Sequence, residues 1–143
     1  MKHASLTLAT LWLLAALPAL AQDAPPEHGV QLQAITELPA SYPRDVPVPQ
    51  GLKPVAAGER DGGMIVLFRG VGKAQPLREA YQAALPKRGW TIEGTDEVGD
   101  EQGLFAVQCE RTLSIFFYEK GPELRVQLAH VSKTPQTHSP APK

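Results

Sequence analysis

Three apolar runs near the end of the chain, Leu104–Glu110, Leu113–Tyr118 and Glu123–Val131, have only the tight turns Arg111-Thr112 and, after Glu119, Lys120-Gly121-Pro122 between them. A parallel crossover needs a dozen or more residues, so runs this close must pair as antiparallel hairpins. That constraint governs the rest of the reading. Lys53–Arg60, weakened by Pro54, reads as an earlier strand, joined through the turn signal Asp61-Gly62-Gly63 to Met64–Val71. Pro76 stands at a first helical position. Leu77, Ala80, Tyr81, Ala84 and Leu85 then follow i, i+3, i+4, i+7, i+8, one apolar stripe of a helix. Pro86 should end or kink that helix, and Gly89 suits a left-handed cap. Trp90–Thr95 reads as the next strand, and Gly94–Gly103 as a loop rich in glycine and acid. The expected fold class is α+β. It is an antiparallel sheet of about five or six strands with one helix packed on one face, in the order β-β-α-β-β-β-β.

The 30–52 segment is different. It holds Val30, Leu32, Ile35, Leu38, Tyr42, Val46, Val48 and Leu52, interspersed with Pro39, Pro43, Pro47 and Pro49. Those prolines forbid a long helix and a central strand, so an extended, irregular arm is expected, within which Val30–Leu32 can add a short edge strand. The arm opens a single α+β domain at 30–131. Before it, Met1-Lys2-His3 gives a basic start, Ser5–Leu17 is almost wholly apolar, and Ala19-Leu20-Ala21 fits a signal-peptidase site. The apolar run is too short for the roughly 20 residues of a spanning helix. Residues 1–21 therefore read as a signal peptide cleaved after Ala21, and 22–29 as a flexible leader. The tail 132–143 reads as disordered, because it is too polar and proline-rich to offset its ordering entropy. A periplasmic or secreted protein without a membrane anchor is expected.

Cleavage leaves 122 residues, enough for one core. It also removes Lys2, so 13 Lys and Arg stand against 15 Asp and Glu. The basic residues are scattered, which argues against nucleic acid as a partner, since phosphate binding needs clustered cations. Cys109 is the only cysteine, so no intramolecular disulfide can form. It alternates with Phe105 and Val107 and is expected to be a small buried core residue.

Asp45-Val46-Pro47-Val48-Pro49-Gln50-Gly51 resembles the D-x-P-x-(Y/P)-x-G opening of small exported bacterial domains of unknown function. Tyr81…Leu85…Gly89-Trp90 resembles their Y-x-x-x-L-x-x-x-G-W helix end and strand start. The arrangement is also similar to the helix-grip domains of BamC-type envelope lipoproteins. The resemblance covers about residues 42–131. It implies a helix on a curved antiparallel sheet and an envelope setting, with no activity attached. Gln22-Asp23 stands where such lipoproteins carry a lipidated cysteine. Independently of any family, Tyr81 and Leu85 lie one turn apart on the helix, Gly89 lets the chain reverse, and Trp90 then enters the sheet beneath it. Tyr81, Leu85, Trp90 and Cys109 are the expected core anchors.

No catalytic constellation emerges. His3, His28, His130 and His138 have no ligand spacing, and Cys109 has no partner. His130 shares a face with Leu124, Val126 and Leu128 and reads as a partly buried strand-end residue. Asp96, Glu97, Asp100 and Glu101 crowd one loop but do not follow the ligand spacing of an EF-hand, so a solvated charged hairpin tip is expected. Ser41, Ser114, Ser132 and Ser139 lie in no nucleophile elbow. Gly70-Val71-Gly72 lacks the rest of a phosphate loop. No catalytic residue, metal or cofactor is implied, and a non-enzyme is expected.

One pattern points to binding. Two strands are apolar on both sides: Met64, Val66 and Phe68 against Ile65, Leu67 and Val71, and Leu113, Ile115 and Phe117 against Phe116 and Tyr118. A half-exposed antiparallel sheet should alternate more cleanly. One helix covers one face, so the other should be covered by the 30–52 arm, or else by a partner or a lipid-like ligand. Ile65, Leu67, Phe116 and Tyr118 form the expected interaction surface. The expected function is a non-enzymatic binding or accessory domain of the bacterial envelope. The alternative is a small carrier holding an apolar ligand between sheet and helix.

Overall fold

The computed structural model describes residues 30–133. The segments read as signal peptide (1–21) and leader (22–29) lie outside the described residues, as do 134–143 of the expected tail, His3, His28, His138 and Ser139. The first two residues of that tail are ordered instead: Ser132 ends the last strand and Lys133 N–H donates to Glu110 O at 3.0 Å. The strands are β1 (Gln33–Ala34), β2 (Leu52–Arg60), β3 (Gly63–Val71), β4 (Thr91–Val98), β5 (Glu101–Gln108), β6 (Arg111–Lys120) and β7 (Glu123–Ser132). Among the described residues one helix, α1 (Ala74–Lys87), separates β3 from β4. All seven strands join one antiparallel sheet in the spatial order β1-β2-β3-β7-β6-β5-β4. The fold is α+β, mostly antiparallel sheet with one helix, and its seven strands exceed the expected five or six. The added strand is β1, which lies just after Val30–Leu32 and pairs Gln33 with Ala57.

Tight two-residue turns build the sheet. Asp61-Gly62 joins β2 to β3, with φ of 48° and 78° at the two positions. Two further strand boundaries differ from expectation. The acidic stretch after Gly94 is a continuous hairpin, β4 and β5, closed at Gly99-Asp100. The β5–β6 turn is Cys109-Glu110, because Gln108 and Arg111 pair directly. Here the ladder hydrogen bonds carry polar residues into strands that composition alone assigns to loops.

Helix α1 begins at Ala74, two residues before Pro76, after an extended Lys73. Its Ala74 N–H donates to the Glu119 carboxylate, which serves as the cap that the helix's own sequence lacks. Pro86 is the penultimate residue of the helix. The end is then sealed twice: Gly89 N–H donates to Pro86 O at 3.2 Å and Trp90 N–H to Leu85 O at 3.1 Å. Gly89 has φ of 87°, the left-handed conformation this double closure requires. Ala74, Tyr81 and Leu85 are buried, but Ala80 is exposed. The helix is therefore rotated slightly from its expected stripe, leaving out the residue with least surface to hide.

Both covering elements lie on one face of the sheet. Val66, Leu128, Ile115 and Leu104 form a cross-strand row on that face, each fully buried. Helix α1 packs over β4, β5 and β6. The arm covers the remainder, with Tyr42, Val46, Pro49 and Leu52 buried and the Tyr42 ring edge-on to Phe68 at 6.3 Å. The expectation that the arm covers the second face is not met. A helix is about 10 Å wide, whereas six strands at about 4.8 Å spacing span more than twice that, so the first face itself has an uncovered half for the arm to fill. Only the start of the arm touches the other side. Val30 and Gln31 press on Gly58, where any Cβ would stand 2.4 Å from Gln31 O.

Candidate functional site

Two places concentrate chemistry. The first joins the arm to the sheet. Arg111, the first residue of β6, donates from Nη1 and Nη2 to the Asp45 carboxylate at 2.7 and 2.9 Å, a bidentate fork. Its Nε donates to His130 Nε2 at 3.1 Å, and Nη1 also donates to Gln108 Oε1 at 2.6 Å. The guanidinium lies 4.8 Å from the centre of the Trp90 ring, a cation–π contact. Trp90 meets the His130 ring edge-on at 6.2 Å. Gln108 Nε2 donates in turn to Arg88 O, at the end of α1.

The electrostatics follow from these contacts. The Arg111 hydrogen bonds hold the Asp45 carboxyl below its usual range, and burial opposes them only in part. Arg111 is held more firmly protonated by the same partner. Burial lowers the His130 pKa, and the Arg111 cation lowers it further. Neutral His130 is the form that can accept the Arg111 Nε–H. A second tie lies alongside: the Tyr42 and Tyr81 hydroxyls both donate to Pro47 O, at 3.0 and 2.6 Å. Burial raises the pKa of both phenols, so they remain donors. The two sequence motifs are thus in contact with each other, Asp45 and Pro47 from one with Tyr81 and Trp90 from the other. Asp45, Arg111, Gln108 and His130 are each engaged by a neighbour, which makes the cluster a clamp, while the buried Trp90 Nε1–H has no hydrogen-bond partner among the described residues.

The expected core anchors fall into two sets. Tyr81, Leu85 and Trp90 are buried. Cys109 is exposed at the tip of the β5–β6 turn with φ of 53°, which corrects its expected burial. The alternation that aligned it with Phe105 and Val107 stops one residue earlier, at Gln108, where β5 ends. Arg111 itself carried no sequence signal, because its partner is 66 residues away. The available hint was Asp45, an acid set directly before the Val46–Pro49 stretch of an arm whose apolar residues must be buried, so that it must find a cation.

The second place is the open sheet face. Ile65, Leu67, Phe116 and Tyr118 are all half-buried and all point to it. Phe105 joins them, its ring 5.7 Å from Phe116 and edge-on to it. A bulge at Val55 keeps Pro54 and Ala57 on the core side and adds one apolar residue to the open side. Val55 in β2 and Val98 in β4 are five strands apart, roughly 24 Å across a flat sheet. They nevertheless line the same groove, of about 710 Å³, with Leu67 and Tyr118 between them. The twist of the sheet turns this part of the open face into a trough.

Among the described residues, no three His, Cys, Asp or Glu side chains are grouped to hold a metal, and no helix is long and apolar enough to cross a membrane. Comparison of the chain with protein-family models, curated proteins and solved structures gives no match.

Proposed function

We propose that this chain is an exported, non-enzymatic binding domain of the bacterial envelope, and that its ligand sits in the trough of the open sheet face. The observation that carries this reading is the groove of about 710 Å³ between Val55, Leu67, Tyr118 and Val98. Its size falls within the range of small-molecule sites. No described segment lies over it, although both the arm and the helix were available to cover sheet. Half-buried apolar side chains left open in this way mark interaction surfaces. The groove lies on the face away from the helix, not between sheet and helix as the expected carrier has it, and its shape favours a small ligand over a docking protein. The basic-apolar-small pattern of residues 1–21 supports export. The arrangement of one helix on an antiparallel sheet is compatible with kinship to exported helix-grip domains.

The test is native mass spectrometry of the protein purified from its own host, wild type beside Leu67→Asp. The expected result is a co-purifying small molecule on the wild type that is lost from the variant. A wild-type protein that carries nothing, and takes up nothing when offered apolar and amphipathic ligands, overturns the reading.

A further inference from the structure

Five side chains lie in one cross-strand row on the open face: Lys53, Arg69, Arg125, Tyr118 and Glu101. The first three are cations in direct register on β2, β3 and β7. Like charges directly opposite one another destabilise a sheet. One carboxylate, Glu123, serves two of them: Arg125 Nε donates to Glu123 Oε1, and Arg69 Nε lies 3.4 Å from the same oxygen. The Arg125 guanidinium holds the Glu123 carboxyl below its usual range. Two guanidinium groups therefore share a single oxygen, and each keeps further N–H donors free to meet an incoming acceptor. Arg69 and Arg125 also line the groove, beside its apolar floor at Leu67 and Val55. Tyr118 separates them from the acidic end of the groove, at Asp100, Glu101 and Glu119, and burial first, then the Glu101 carboxylate, raises the pKa of its phenol.

Resting on the binding reading above, we infer that the groove takes a single-chain amphiphile with an anionic head, its head on Arg69 and Arg125 and its chain along Leu67 and Val55. An anionic head relieves the repulsion between the paired cations while the apolar chain covers the half-buried floor. The head can be a carboxylate or a phosphate ester, since both accept from guanidinium.

Isothermal titration with palmitate, lysophosphatidylglycerol and hexadecanol, all below their aggregation limits, tests this. Both anionic ligands are expected to bind, at least about tenfold tighter than hexadecanol, and more weakly as salt rises. Arg69→Gln with Arg125→Gln should erase that preference while leaving hexadecanol within about twofold. Both arginines are half-exposed, with side-chain exposures of 53% and 52%, so the variant is expected to fold, and a thermal melt checks it. Glu123→Gln should tighten anionic binding a few-fold, because it frees both cations, an effect of opposite sign that mere loss of structure would not give. Equal binding of hexadecanol and palmitate, unaffected by the arginine changes, overturns the head-group inference and leaves the carrier reading standing. No binding of any of the three overturns both. If only one of the two anionic ligands binds in the arginine-dependent manner, the inference stands and the head is identified.

Discussion

Arg111 is the residue on which the clamp turns. It touches the arm, two strands and the Trp90 that follows α1, so its loss should be felt in all of them. Arg111→Ala should lower stability by about 1–3 kcal/mol in urea unfolding, since the Asp45–Arg111 pair is only partly exposed and its removal strands a carboxylate. Arg111→Lys should recover little of this, because an ammonium cannot replace the two-pronged contact with Asp45 or stack flat on the indole. Full recovery by lysine would show that the charge alone matters. His130 makes the clamp sensitive to acid. Its pKa in the folded protein lies below the ordinary 6.5, so the unfolded chain takes up the proton first as the pH falls. The stability given by neutral His130 is complete above about pH 6.5 and is lost as the pH drops through the lower folded value. Asp45 acts in the same direction below its ordinary 3.8. Thermal melts of wild type and His130→Gln between pH 7 and 5 should show a decline in the first and a flatter profile in the second. Parallel profiles would remove His130 as the cause.

The helix end shows how an element can be fixed by residues outside itself. Periodicity, Pro86 and Gly89 locate the helix and its stop from sequence. The start was less legible, since Glu119 caps it from β6 and no sequence window includes both groups. Gly89 has a second duty. A Cβ there would stand 2.7 Å from Gln108 Nε2, which is engaged with Arg88 O. Gly89→Ala should therefore cost about 1–3 kcal/mol: the left-handed backbone penalty plus displacement of Gln108 from the clamp. Gly99→Ala is the control. Its φ is also positive, at 60°, but nothing lies within 4 Å of a new methyl, so only the backbone penalty applies. Equal losses in urea unfolding for the two variants would mean that Gln108 yields freely. At the sheet edge, β4 carries Glu93, Asp96 and Glu97, charges that discourage pairing with another chain. Asp96 and Glu97 are two of the four acids which composition grouped as one loop, while Asp100 lies in the turn and Glu101 in β5.

At the scale of the whole molecule, the core is one-sided. Phe117 is fully buried beneath the Tyr81 ring, 6.1 Å away, whereas its neighbour Phe116 is half-buried on the open face. Phe117→Ala should cost about 3–5 kcal/mol, and Phe116→Ala much less. Comparable losses on the two faces, read by urea unfolding, would mean that something shelters Phe116 after all. The same asymmetry separates folding from binding, because the side chains proposed to meet a ligand are ones the core does not need.

The amino-acid sequence alone determined the strand-helix-strand succession, because tight turns and local periodicity are short-range properties. Runs joined by two to four residues have only one way to pair. It also revealed that two strands are apolar on both sides. Only the tertiary structure decided which face the arm would cover, since that depends on the width of a helix against the width of a sheet. The meeting of Asp45 with Arg111, and the alignment of Lys53, Arg69 and Arg125, were likewise set by long-range register. That register exists only once β7 has docked beside β3, and no local pattern encodes it.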